Sequence, residues 1–504
     1  MKVKTVLINW HDKLPIFSVD FDHNYSESRG GWRFATGGGD NNVRVWRLRS
    51  GSEREADPQQ PMVEFLASLN RHTAPVNVVR FSPCSSRLAS AGDDGVVIVW
   101  RQILGSEEGT AQSKKVAVSE NLVGDGDDHF VEPETWRPMA LLRGSLADIC
   151  DLAWSPDGQF LVSASVDNTA RIWDVADARC IQVLVDHSHY VQGVAWDPLG
   201  EFIATQSSDR SLRMYKWIGP RDLRDIKPGT DVVALAASHY TMSVPVAEPS
   251  RPAHDSETSD ADESKMDIED AAPTHRSQRL FHDDNLASFF RRPSISPDGR
   301  LLATAAGVQR SRTSRNTCYV WPRDGLAGPP ALNLAGHQKP VVATRWAPCQ
   351  FEAIAGVGDT SAGWLGPPAD DAKGATRMML AVGSQGAVAL YDTSVAGRAV
   401  GLVGGLHYAA ITDLAWTRDG SHLVIASLDG FASVASLDQP SSALALEKRA
   451  AEISSDVLGS VGSSIEHSGI QPDHPPPEAL QTSTRPEPGS KGKKRLAPTF
   501  VGTL

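Results

Sequence analysis

The chain is poor in cysteine and tyrosine and lacks any long apolar run. Five cysteines (Cys84, Cys150, Cys180, Cys318 and Cys349) are scattered over 504 residues without a C-x-x-C pair. That spacing argues against a disulfide framework and a cysteine-based zinc site, and points to a reducing, intracellular setting. No apolar stretch approaches the ~18 residues of a membrane span, and the run at residues 6–10 is too short for a signal-peptide core. No membrane association is expected. A Gly-rich phosphate loop ahead of a helix, an H-x-x-x-H pair and a reactive cysteine context are also missing, so neither catalysis, a cofactor nor a metal is expected.

The net charge of −12 is unevenly spread. Eight acids and one base lie between Asp255 and Asp270, which leaves the remainder only mildly acidic. The last fourteen residues, by contrast, hold Lys491, Lys493, Lys494 and Arg495 and no acid. A basic face of the kind that grips nucleic acid is not apparent, so sequence-specific DNA binding is not expected.

Tryptophan is what the chain has in unusual supply: 13, against 14 Phe and 7 Tyr. Several fall at a repeating position. FATGGGDNNVRVW (34–46), LASAGDDGVVIVW (88–100) and LVSASVDNTARIW (161–173) share one pattern: an apolar run, small residues, an Asp, and an aromatic six positions later. The pairs are Asp40 with Trp46, Asp94 with Trp100, Asp167 with Trp173, and Asp209 with Tyr215. Upstream lies an apolar strand ending in an aromatic and a turn, as in VVRFSPC, DLAWSPDG, GVAWDPLG and DLAWTRDG. Further upstream stands a histidine: His72, His187 or His189, His337, His407.

This order of His, strand, turn, strand, Asp, strand and aromatic describes one four-stranded propeller blade of the WD-repeat kind. Seven units can be counted, closing at Trp46, Trp100, Trp173, Tyr215, Trp321, Tyr391 and, without an aromatic, Ala435. The expected fold is all-β: a seven-bladed WD-repeat propeller over residues 1–438 with disordered insertions at about 101–133 and 220–284. The first insertion reads as a surface loop of the third unit. The second holds the acidic run, which suits either a solvated insertion or a binder of basic partners. Residues 439–490 have linker composition, and a basic motif occupies 491–504.

Within a blade, a buried His, a second-strand Ser or Thr and a turn Asp can form a hydrogen-bonded chain that also satisfies the indole N–H of the closing Trp. His72, Ser90, Asp94 and Trp100 offer this set in the second unit. Asp, His and Ser together also suit a hydrolase, but their recurrence from unit to unit favours a structural role. Eight tryptophans are explained by the repeat: Trp46, Trp100, Trp173 and Trp321 close blades, and Trp154, Trp196, Trp346 and Trp416 end first strands. Trp10, Trp32, Trp136, Trp217 and Trp364 fall outside it and are the expected place for a partner-binding surface.

The phrases HTAPVNVVRFSP, SASVDNTARIWDV, YVQGVAWDPLG and HDDNLASFFRRPSISPDGRLL, with the N-terminal MKVKTVLINWHDKLPIFSVDF, together resemble the p60-like, WD-repeat middle subunits of chromatin assembly factor 1. The resemblance implies a nuclear, non-catalytic subunit of a three-subunit histone chaperone that deposits histones three and four on replicated or repaired DNA. Its partners would be the large and small subunits of that factor, the core histones (directly or indirectly) and an anti-silencing-function histone chaperone. KKRLAPTFV matches the short basic strand by which such subunits bind that last partner, with Lys493, Lys494, Arg495, Leu496, Ala497, Pro498 and Thr499 as the docking motif. Lys494 stands where the motif has Arg, which loses bidentate geometry. The same cluster also reads as a nuclear localisation signal. Two alternatives are the propeller of a replication-independent, histone-regulator type chaperone, expected to continue into a large C-terminal domain, and a ubiquitin-ligase substrate receptor.

Overall fold

The computed structural model describes residues 1–25, 30–49, 62–84, 87–103, 133–145, 147–219, 231–245, 275–310, 314–352, 364, 376–395, 397–437 and 443–444. The docking motif at 493–499 lies outside them, as do most of the linker and the bulk of both insertions.

Seven four-stranded antiparallel sheets make up the propeller. Blades one to six run over residues 16–69, 76–143, 149–184, 191–239, 294–337 and 341–404. Blade seven combines residues 411–436 with the N-terminal strand Lys2–Val6, which pairs with Ala432–Ser436 in the register Lys2↔Ser436 to Val6↔Ala432. The two ends of the repeat array are therefore stitched into one sheet. Each innermost strand packs against the innermost strand of the next blade, and the last packs against the first, so the ring is closed.

The strands follow from burial. An inner strand is covered by sheets on both sides, so it reads as a nearly unbroken apolar run, as in Val76–Phe81 (VNVVRF), every residue of which is buried. An outer strand is covered on one side at most and shows mixed exposure, as in Arg179–Leu184. The core is divided among the blades. Apolar side chains fill seams between neighbours, for instance Phe160 and Ile172 of blade three against Val194, Trp196 and Tyr215 of blade four. In six blades the register between first and second strands shifts at the second residue of the first strand, between Ile16/Ser18, Val76/Val78, Ile149/Asp151, Val191/Gly193, Val341/Ala343 and Ile411/Asp413. Such bulges re-aim the residue that follows.

Blade five has a short inner strand, Ser294–Ile295. Residues 290–293 extend it between its neighbours: the N–H of Arg291 donates to Gln192 O (3.1 Å), that of Arg292 to Val342 O (3.0 Å), and that of Thr344 to Arg292 O (3.0 Å). This approach requires Gly193, since a Cβ there would stand 1.8 Å from the carbonyl oxygen of Arg291.

The insertions depart from expectation in three ways. The loop beginning after Ile103 joins the third and fourth strands of blade two, not blade three, because Val96–Ile103 and Thr135–Arg143 are neighbours in one sheet. Part of 220–284 is strand: Val233–His239 completes blade four, and Thr241–Pro245 pairs with His275–Arg279. Beyond residue 438, Ala443–Leu444 pairs with Gln350–Phe351 of the blade-six insertion, so ordered pairing continues past the expected end of the propeller.

Gly193→Ala is expected to destabilise the chain by ~3 kcal/mol or more, since backbone cannot yield as a flexible side chain can. Chemical denaturation monitored by tryptophan fluorescence checks this, and a midpoint equal to wild type contradicts it.

Candidate partner-docking site

The blade network read from the repeat is complete in blades one and two and partial in blades three, four and seven. In blade two, His72 Nδ1 bonds Asp94 (2.8 Å), His72 Nε2 bonds Ser90 Oγ (2.7 Å), and the Trp100 indole N–H donates to Ser90 Oγ (2.8 Å). Blade one repeats this with Asp40, Trp46, Thr36 and His11, whose bonded atoms lie 2.6 to 2.8 Å apart. His11 was not among the histidines read from the repeat, although it stands in the WHDK phrase ahead of the first unit. In blade four the choice falls on His187, which bonds Asp209 (2.9 Å) and Thr205 (2.7 Å); His189 turns instead to Ser208. In blade three a serine takes the place of the histidine. Ser145 bonds Ser165 (2.9 Å) and reaches Asp167 (3.5 Å), while the Trp173 indole donates to Ser163 (2.9 Å). His407 bonds Asp429 (3.0 Å) in blade seven, but Ile425 replaces the second-strand hydroxyl, and His407 Nε2 has no partner among the described residues. These sets are clasps between strands, repeated around the ring.

A second network was not read from the sequence. On the axis, Asp413 of blade seven accepts from Ser18 Oγ (2.8 Å) and the Val19 N–H (3.2 Å) of blade one and from Arg80 of blade two (2.8 Å). It also pairs closely with Arg292 of blade five and lies 3.6 Å from Arg345 of blade six. Asp151 of blade three bonds Arg80 (3.1 Å), lies 3.7 Å from Arg292 and accepts the Val194 N–H of blade four (3.2 Å). Asp20 adds a third carboxylate, accepting the Phe81 N–H (2.8 Å). Three acids and three guanidiniums thus balance in a hub that touches all seven blades. Apart from Arg345, the ion-paired members are almost wholly buried, with side chains no more than 7 % exposed.

Burial opposes charge on each of them. At Asp413 the guanidiniums of Arg292, Arg80 and Arg345 overcome that penalty and hold the carboxyl well below the usual range. At Arg80, burial is outweighed by Asp413, Asp151 and Asp20, and its pKa is raised. A trace of the hub is legible afterwards: Asp is third in both ICDLAW and ITDLAW, and Arg is fifth in both VNVVRF and VVATRW. Third and fifth positions of a strand share a face.

The five unassigned tryptophans do not form a surface. Trp10 is 1 % exposed, its ring 4.9 Å from Trp46 and its N–H bonded to Val6 O (3.0 Å). Trp32 is buried against His422. The other three are half-buried: Trp136 stacks under Arg33, Trp217 packs between Trp196 and Phe160, and Trp364 pins its insertion to Trp346 and Val395 O. An indole is too large to leave exposed when a seam between blades can cover it. The exposed apolar side chains lie elsewhere, among them Tyr408, Val185 and Leu402.

A family model described as the CAF1B/HIR1 β-propeller domain matches residues 1–242 and 228–441. The chain is 34 % identical to the B-type subunit of chromatin assembly factor 1 from Mus musculus, over 97 % of this chain and 76 % of that one. It is 32 % identical to the protein of the same name from Schizosaccharomyces pombe, over 99 % of this chain and 100 % of the relative. Protein HIRA of Oryza sativa is 30 % identical over 88 % of this chain and 38 % of its own length.

Two outcomes follow from the networks. Asp413→Asn leaves the buried Arg80 and Arg292 to share Asp151 and is expected to cost ~3–5 kcal/mol, read as a lowered denaturation midpoint; an unchanged midpoint contradicts the hub. Acid should destabilise in two stages. Burial lowers the pKa of His11, His239 and His337, so their contribution is complete above the unfolded value near ~6.5 and is lost as pH falls below it. Burial would raise Asp40, Asp94, Asp167 and Asp209, but His or Arg partners and hydrogen bonds lower all four, so their contribution is lost only below ~pH 4. Melting temperature should fall between pH 7 and 5 and again below 4; a flat profile from 7 to 5 contradicts the first stage.

Proposed function

The chain belongs to the CAF1B family, the p60-like middle subunits of chromatin assembly factor 1, and on that premise we propose that it is a non-catalytic docking subunit of a nuclear histone chaperone that deposits histones three and four on replicated or repaired DNA. The observation that carries this reading is similarity to a member of that family along nearly the whole chain and the whole length of the relative. The propeller agrees in kind. The repeat's Asp, His and Ser side chains serve as strand clasps in five blades and the axial charges join blade to blade, so both networks serve the closed ring that would hold partners.

Two docking tasks divide along the chain. The propeller engages the large subunit of the factor. The motif Lys493, Lys494, Arg495, Leu496, Ala497, Pro498 and Thr499 engages the anti-silencing-function chaperone: its basic residues meet an acidic surface while Leu496, Pro498 and Phe500 lie along an added strand. The tagged chain should co-purify with the large and small subunits and with histones. Recovery with a cullin adaptor, or with none of the factor's subunits, contradicts the reading.

Arg495→Ala with Leu496→Ala is expected to weaken binding to the anti-silencing chaperone by at least ~30-fold, from loss of ~2 kcal/mol or more at two anchor positions. Isothermal calorimetry with the full chain measures it, and the melting temperature should not move. Affinity equal to wild type refutes the motif assignment.

A further inference from the structure

The fourth strand of each blade ends its sheet, so the perimeter presents a ring of strand edges. A bare edge is a template for pairing, and charged side chains usually blunt it. Four outer strands follow that rule: Lys2–Val6 carries Lys2 and Lys4, Val63–Leu69 carries Glu64, Thr135–Arg143 carries Arg137 and Arg143, and Arg179–Leu184 carries Arg179. The outer strands of blades four, five and six, Val233–His239, Leu332–His337 and Ala399–Gly404, carry no Lys, Arg, Asp or Glu.

Ala399–Gly404 (AVGLVG) stands apart among these. It pairs with Ala387–Asp392 on one side and with no described strand on the other. Val400, the bulged residue where the register shifts opposite Leu390 and Tyr391, and Leu402 are 49 % and 68 % exposed, while Val403 between Leu402 and Gly404 is buried. Leu402 lies opposite Ala389, too small to cover it. A cation stands at each end. Arg398 is exposed immediately before the strand. Lys339, also exposed, reaches Gly386, where a Cβ would lie 3.2 Å from its Cδ, and Gly386 O lies beside Gly404. Among the described residues neither cation has an acidic partner.

We propose that the edge of Ala399–Gly404 that no described strand covers is a docking site for an extended segment of a partner protein, which adds as a fifth strand to blade six. The segment has two apolar side chains two residues apart, to cover Val400 and Leu402, and a carboxylate at each end, to meet Arg398 and Lys339. Backbone hydrogen bonds supply the attraction, and the side chains supply the choice of partner. A second copy of this chain fits less well. Antiparallel pairing of two such edges sets Arg398 of one beside Lys339 of the other, and facing like charges destabilise.

The probe is a fluorescein-labelled peptide, Glu-Thr-Val-Thr-Val-Thr-Glu, titrated with the full chain and read by anisotropy. Saturable binding is expected, weakened about tenfold or more by Leu402→Lys and by replacing both peptide glutamates with lysine, but unchanged by Leu235→Lys on the outer strand of blade four. Leu402 is exposed, so its variant should melt with the wild type. No saturable binding, equal affinity for the Leu402→Lys chain, or equal affinity for the lysine-flanked peptide overturns the proposal. So does a wild-type dimer in sedimentation that Leu402→Lys dissolves, since the edge then belongs to a second copy.

Discussion

Everything in this molecule depends on closing seven separate sheets around one axis, and the ion hub is where closure is enforced. A blade alone cannot bury its inner strand; it needs a neighbour on each side. Asp413 and Asp151 each accept from more than one blade, so a missing or shifted blade leaves a buried charge without its partner. Buried ion pairs often add little net stability over apolar packing, yet breaking one is costly. That asymmetry suits a hub whose task is to select one ring geometry. The bulge repeated at the start of six inner strands belongs to the same solution, because the residue after it is the one directed to the axis, Ser18, Asp151 and Asp413 among them.

Moving outward, each constraint is handed to a more local interaction. Apolar seams bind blade to blade, the His–Asp clasps of blades one, two, four and seven tie inner connections to the turn between second and third strands, and Lys2–Val6 locks the ring. Among the described residues, blades five and six lack the clasp. Thr304 bonds the carbonyl of Tyr319 where blade two has Ser90, and Val382 takes that place in blade six. These two blades are held otherwise: by the 290–293 segment threaded between blades four and six, and by the blade-six insertion pinned at Trp364 and paired with Ala443–Leu444. The weaker the repeat in the sequence, the more the chain relies on contacts between distant segments.

The same contrast decides what could be read from the residues. Seven blades, their closing positions, the second-blade network and the first-strand tryptophans were legible, because each is local and recurs. The hub was not, because Arg80, Asp151, Arg292, Arg345 and Asp413 come from five blades, and although four of them stand in the repeat and family phrases, nothing local says that they meet. The five leftover tryptophans were misplaced for a related reason. Falling outside a repeat says that a residue has no equivalent in other blades, not that it faces solvent, and Trp10 proves to be the packing partner of Trp46. The features proposed to meet partners lie where no fold rule demands them: exposed side chains on an outer strand and the basic motif at 493–499.

Membership in the CAF1B family and a closed seven-bladed propeller are the two findings on which the proposed docking role rests. The most direct test is crosslinking mass spectrometry of the chain assembled with the large subunit of chromatin assembly factor 1 and histones three and four. The account predicts abundant crosslinks between the propeller, residues 1–437, and the large subunit, with the complex intact in the absence of histones. A chain that makes no crosslinks to the large subunit, or joins the assembly only when histones are present, would contradict it.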